Sequence, residues 1–254
     1  MKKRDRVYFV GAGPGDPDLI RLKCRRLLDE ADVVVYAGSL VNPALLQGIK
    51  ARVYNSASMN LDEIVRVMDE SVAQGRVVVR LHTGDTSFFS ALSEQTERLD
   101  KLKIGFEVVP GVSSATAGAA VLKQELTVPE ISQTVIFTRR EGRTPVPGDE
   151  RLQALAAHRA TMIIFLSVGM INEVQKELLQ GYDEETPFVV IEKASWPEER
   201  IVRGPLKDMA EIVARAGITK TALIYVGSSL RASQVQLGKE SRLYNKDFTH
   251  GYRK

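Results

Sequence analysis

Asp16 closes the run Gly11-Ala-Gly-Pro-Gly-Asp16, which follows the apolar segment Val7-Tyr-Phe-Val10 without a spacer. A carboxylate at such a turn can accept a proton or bind N–H groups of a ligand. The glycines leave peptide groups open at the carboxyl end of a buried strand, where open α/β sheets hold their ligands. The spacing is not that of a dinucleotide site, which wants G-x-G-x-x-G. Here Gly11, Gly13 and Gly15 alternate, Pro14 removes a donor, and Asp16 would face a pyrophosphate. The competing reading is a tight strand-to-helix turn with Asp18 as its cap and Asp16 as an acidic residue in a first helical turn.

Further small-residue loops occur at 83–86, 110–114, 167–170 and 192–195. Such loops bind a compact ligand through main-chain groups, because small side chains allow close approach. No G-x-S-x-G elbow, G-x-x-x-x-G-K-[ST] loop or H-E-x-x-H pair is present. The three histidines, at 82, 158 and 250, are too scattered to suggest a metal site. Arg139, Arg140 and Arg143, on the proline-punctuated stretch to Gly148, and His82 at a strand end are the candidates for binding carboxylates. For these, a solvated surface charge is the alternative. Trp196 beside Pro197 reads as a hairpin cover or a flank of the ligand, and Cys24 as a small buried residue.

These loops need strands to carry them. Val7–Val10, Val33–Tyr36, Val77–Leu81 and Phe106–Val109 read as strands, with a short one at Val53-Tyr54, and helical periods fall between them. In the first helix Leu19, Leu22, Leu27 and Leu28 are spaced for the buried face, with Lys23, Arg25 and Arg26 turned to water. The pattern is strand, turn, helix, repeated, and predicts a mostly parallel sheet. Gln124–Glu130 carries no sustained period and marks a change of domain. Beyond it strands are predicted at Thr134–Phe137, Met162–Leu166, Phe188–Ile191 and Ala222–Val226. The turn Glu192–Glu199 joins two extended runs as a hairpin, so the second sheet is mixed. The fold class is α/β with two domains, taken as 1–112 and 113–254, and a ligand cleft between them.

With 254 residues, 44% of them hydrophobic, the chain can bury two cores. A net charge of +3 with scattered basic residues argues against nucleic acid or a membrane surface as partner. The single cysteine excludes an internal disulfide and points to the cytoplasm. No apolar stretch approaches the ~18 residues of a membrane-spanning helix.

Taken together, V-G-A-G-P-G-D-P-D-L-I-x-L-K at 10–23, Thr-Gly-Asp at 83, Pro-Gly-Val-Ser-Ser at 110 and Glu-x-Ala-Ser-x-Pro at 192 resemble the tetrapyrrole methyltransferases of cobalamin and siroheme synthesis. Tyr-Ala-Gly-Ser-Leu-Val at 36–41, Glu-Gly-Arg-Thr-Pro-Val-Pro at 141–147 and Asp-Phe-Thr-His at 247–250 resemble the branch that methylates C11 of precorrin-4, with or without cobalt. The resemblance covers nearly the whole chain and implies a homodimer. It also implies S-adenosylmethionine bound between the domains by Pro14, Thr83, Gly84, Asp85, Phe88, Ser113, Ser114, Val168, Ala194 and Ala222. The substrate would lie against Gly13, Gly15, His82 and Arg143. Thr86, Ser90 and Cys24 depart from the family pattern, which has proline, glycine and commonly glycine there.

The reaction implied is attack of an enamine-like macrocycle carbon on a sulfonium methyl, driven by alignment and water exclusion, with Asp16 the one catalytic candidate. The alternatives are another ring position or uroporphyrinogen III as substrate, a nicotinamide-dependent oxidoreductase, and a non-catalytic tetrapyrrole-binding protein.

Overall fold

The computed structural model describes residues 5–231 and 249. The chain forms two compact units, Met1–Ala117 with Lys193–Glu198, and Gly118–Glu192 with Glu199–Lys254. In the first unit the elements run β1 (Arg6–Gly11), α1 (Leu22–Glu30), β2 (Val33–Tyr36), β3 (Arg52–Asn55), α2 (Leu61–Ala73), β4 (Val78–His82), α3 (Leu92–Lys101) and β5 (Gly105–Val109), then the start of α4 (Ser114–Val121). The strands lie in the order β3-β2-β4-β1-β5, and every pairing is parallel.

Period-two alternation decides which face each residue of this sheet serves. Tyr8, Val10, Val34, Val79 and Leu81 face Leu27 and Leu28 of α1. Val7, Phe9, Val33, Val35 and Val78 face Ile64, Val65 and Met68 of α2 and Leu99 of α3. With both faces covered, Val7–Val10 and Val33–Tyr36 read as continuous apolar runs. Each large side chain buried this way contributes roughly 1.5–3 kcal/mol. α2 starts at a capping box, the Asn60 side chain accepting from the Glu63 amide and the Glu63 carboxylate from the Asn60 amide.

The start of α1 differs from the sequence reading. Its buried stripe is Cys24, Leu27 and Leu28, while Leu22 is 74% exposed and Leu19 is also exposed. Residues 24, 27 and 28 follow the i, i+3, i+4 rule from a helix that begins at Leu22, which puts Leu22 itself on the far side. Nor is Arg25 simply turned to water, since its guanidinium binds Asp29 and the Leu45 carbonyl. The cap also shifts: Asp16, not Asp18, caps the one-turn 3₁₀ helix Pro17–Leu19, accepting from the Asp18 amide at 2.9 Å.

The second unit contains the end of α4, β6 (Val135–Arg139), α5 (Leu152–Ala156), β7 (Thr161–Phe165), α6 (Ile171–Leu178), β8 (Pro187–Glu192), β9 (Arg200–Pro205), α7 (Met209–Arg215) and β10 (Ala222–Val226). Its sheet order is β6-β7-β10-β8-β9. Only β6 and β7 pair in parallel, so the sheet is mixed, with β8 and β9 the expected hairpin. Met162, Ile164, Phe188, Val190, Ile224 and Val226 pack on the helices of one face. On the other face Gly118 of α4 comes so close that an added Cβ would stand 2.1 Å from the Tyr225 hydroxyl. The aperiodic 124–130 stretch lies inside this unit. Among the described residues, no helix is long and apolar enough to cross a membrane.

Candidate functional site

The connections after β1 and β4 leave the first sheet toward opposite faces, because α1 packs on one side and α3 on the other. Adjacent strands with diverging connections open a crevice at their carboxyl ends. There the loops after β1 and β4 are stitched together: the Gly13 amide donates to the Gly84 carbonyl at 3.2 Å and the Gly84 amide to the Gly13 carbonyl at 2.8 Å. Both glycines have positive φ, +83° and +60°, a region that disfavours residues with a Cβ. The loop after β5 joins them. A Cβ on Gly111 would stand 2.0 Å from the Gly84 carbonyl oxygen.

Asp85 ties the same junction with its side chain. One carboxylate oxygen accepts from the Gly111 amide and the other from the Ser87 amide, each at 2.8 Å. Its carboxylate is thereby engaged with the protein backbone and fixes the two loops. Ser90 Oγ donates to the Thr86 carbonyl, so the two departures from the family pattern are bonded to each other. Thr86 is 1% exposed, and its hydroxyl has no hydrogen-bond partner among the described residues. Ser113 caps α4 by accepting from the Ala115 amide at 3.2 Å, and Ser114 is half-buried beside it.

Asp16 is partly buried. One carboxylate oxygen caps the Asp18 amide, and no hydrogen bond to the other is found among the described residues. The turn that carries it is held from several sides. Trp196 Nε1 donates to the Pro14 carbonyl at 2.9 Å, Asn42 Nδ2 to the Gly15 carbonyl at 2.8 Å, and the Asp16 amide to Ser195 Oγ at 3.0 Å. Sequence reasoning missed Asn42, Ser195 and Asp85 as braces, because their partners are peptide groups that leave no pattern in the chain.

His82 is 3% exposed and packs against Phe9. Burial, and then the charge of Arg80, push its pKa down to about 3. A neutral, enclosed ring cannot act as the cationic carboxylate partner that its place at a strand end suggested. Arg80, also buried, donates to Gln95 and to the Val35 carbonyl, and Gln95 in turn donates to Ala91 at the head of α3. Cys24 Sγ rests 3.6 Å from the Pro110 carbonyl, and burial raises its thiol pKa.

In the second unit, Arg139 donates to the Arg140, Thr144 and Pro145 carbonyls, and Arg140 pairs with Glu177. Both brace the proline-punctuated loop. Arg143 is exposed and has no ion pair or hydrogen bond among the described residues. Val168 is buried at the turn before α6, and Ala222 begins β10. Ala194 is buried in the segment that belongs to the first unit, and Phe88 is exposed on the β4 loop. Of the tail motif, Asp247, Phe248 and His250 lie outside the described residues.

A ligand held mainly by peptide groups fits the first unit's junction. A Cβ built on Gly84 meets nothing nearer than 3.7 Å, and what borders that space is the Ser114 amide, the Val112 carbonyl and the Ser113 Cα. The family model for tetrapyrrole (corrin/porphyrin) methylases matches residues 6–210. The chain belongs to this family.

Among its fellow methylases, the chain is 55% identical over 257 residues to a cobalt-precorrin-4 C(11)-methyltransferase of Methanocaldococcus jannaschii, covering 100% of this chain and 98% of that one. A solved cobalt-precorrin-4 methyltransferase, 45% identical, superposes with a TM-score of 0.88 over 91% of this chain and 98% of its own. A uroporphyrin-III C-methyltransferase of Thermus thermophilus, solved with S-adenosylhomocysteine, is 32% identical with a TM-score of 0.76, covering 89% and 94%. The reading as a nicotinamide-dependent oxidoreductase is set aside by this membership.

Proposed function

We propose that this methylase transfers a methyl group from S-adenosylmethionine to C11 of a precorrin-4-type macrocycle in cobalamin biosynthesis. The cobalt-bearing form is favoured by the 55% identity to a cobalt-precorrin-4 enzyme. The observation that carries the reading is the junction of Gly13, Gly84 and Gly111 at the carboxyl edge of an all-parallel sheet in a chain of this family.

When bound, the cofactor supplies an electrophilic sulfonium methyl. Thr83, Gly84, Ser113 and Ser114 of the first unit offer peptide donors and acceptors to it, together with Pro14, Phe88 and Ala194. Asp85 holds the loops that present those groups. Gly13 and Gly15 bring the backbone close to the substrate, and the Asp16 carboxylate binds pyrrole N–H groups or takes the proton released once the ring carbon is alkylated. Alignment can supply on the order of 7–11 kcal/mol, against about 2.7–5.5 for one general base. Most of the rate therefore rests on geometry. Arg143, a cation of the proline-punctuated loop with no partner among the described residues, receives a substrate carboxylate.

We also assign the enzyme to the cytoplasm, on its single cysteine, and to a homodimer, on the family resemblance. The deciding experiment is mass spectrometry of the product after incubation with methyl-labelled cofactor and a panel of precorrin intermediates. One label at C11 is expected. A label at another ring carbon, or on uroporphyrinogen III, would move the substrate within the family. Tetrapyrrole binding without any label would make the protein a carrier.

A further inference from the structure

We infer that Ser195, Trp196 and Asn42 are positioning residues for Asp16, forming a brace that fixes three consecutive residues of the turn that bears it. The inference rests on the role proposed above for Asp16. Each of the three side chains takes one peptide group: Trp196 Nε1 the Pro14 carbonyl, Asn42 Nδ2 the Gly15 carbonyl, and Ser195 Oγ the Asp16 amide. All lie in the first unit, since residues 193–198 cluster there although the strands flanking them do not.

The contact is built closely. A Cβ on Gly15 would stand 2.0 Å from Cδ1 and Nε1 of the Trp196 ring, so only glycine lets the indole rest on this peptide. Lys193 lies over the same ring, 5.4 Å from its centre. The segment bends sharply to do this, with positive φ at Lys193 (+50°) and Ser195 (+68°). Such a backbone persists only where its surroundings over-determine it. Asn42 meanwhile spends its Oδ1 on the Ala44 amide, which leaves its Nδ2 as the group that reaches the turn. With its peptide neighbours held, the Asp16 carboxylate is presented in one place before substrate arrives. Fixed placement of this kind carries catalytic weight, because an error of about 1 Å can cost about a hundredfold.

Two variants each remove one bond. Ser195→Ala deletes the acceptor for the Asp16 amide, and Trp196→Phe keeps an aromatic ring on Gly15 but loses the N–H. In the full-length protein, with S-adenosylmethionine and cobalt-precorrin-4 saturating, each should lower kcat about tenfold, with KM for the macrocycle little changed. The decisive readout is non-additivity. In an Asp16→Asn background Ser195→Ala should cost nothing further, because the group it positions is already disabled, whereas a general loosening of the fold would add its own loss.

Wild-type kcat in both Ser195→Ala and Trp196→Phe, or losses that simply add to that of Asp16→Asn, would overturn the inference. If Trp196→Phe does not fold, the Ser195→Ala cycle alone decides. Should Asp16→Asn itself keep wild-type kcat, the role of Asp16 fails and takes the brace with it. Absence of methyl transfer by the wild-type enzyme would instead mark failure of the proposed function.

Discussion

The His82 ring is enclosed in the β4 layer, its Nε2 without a partner among the described residues, and its pKa, pushed down to about 3 by burial, sets a stability dependence on acid. The unfolded chain takes up a proton near pH 6.5 that the folded chain refuses until about pH 3, so this term is complete above about pH 6.5 and is lost as pH falls through that window. Replacing His82 by Leu should flatten the fall in urea midpoint between about pH 7 and about pH 4; an unchanged slope would assign the acid sensitivity elsewhere. Asp16 is tested by chemistry. Asp16→Ala should slow single-turnover methyl transfer by about a hundred- to ten-thousand-fold with both substrates saturating. A wild-type rate would leave Asp16 only its visible duty as the cap of the Asp18 amide.

Among elements, the loops after β1, β4 and β5 act as one piece. Gly111 is the tightest point, since a methyl there would run into the Gly84 carbonyl oxygen. Gly111→Ala should cost about 1–3 kcal/mol or more in chemical denaturation and abolish the heat of S-adenosylhomocysteine binding in calorimetry. Gly48 is the control: its φ is +76° with nothing within 4 Å, so Gly48→Ala should cost about 1–2 kcal/mol and leave binding intact. The loop after β6 has a different task. Arg139 and Arg140 are engaged in holding it; on the substrate role proposed for Arg143, Arg143→Glu should raise the macrocycle KM roughly tenfold or more with little change in kcat. An unchanged KM would remove Arg143 from the site.

The elements themselves were legible in the chain because most strands are buried on both faces and read as apolar runs; Val7–Val10 is the plainest, and Val77–Leu81 is interrupted only by the buried Arg80. The hairpin of β8 and β9 was legible for a similar local reason, two extended runs with one turn between. Leu22 was misread because apolar type alone does not say where a helix begins. Thr86 and Ser90 were visible as substitutions, but the bond between them was not, since it depends on a backbone path that no spacing encodes. The same holds for Asn42 and Ser195, whose acceptor and donor on the turn after β1 are main-chain atoms.

At the scale of the whole molecule, light scattering coupled to size exclusion should give twice the 28.1 kDa of one chain; a single-chain mass would refute the homodimer. The path of the polypeptide has a consequence of its own. It passes from one compact unit to the other at Ala117, returns at Lys193 and leaves again after Glu198. A gene fragment ending at residue 117 would therefore encode a half whose glycine turn has lost its indole and hydroxyl supports. Any chimaera that swaps this half between related enzymes must carry six residues from far downstream along with it, or graft a turn onto a foreign clasp.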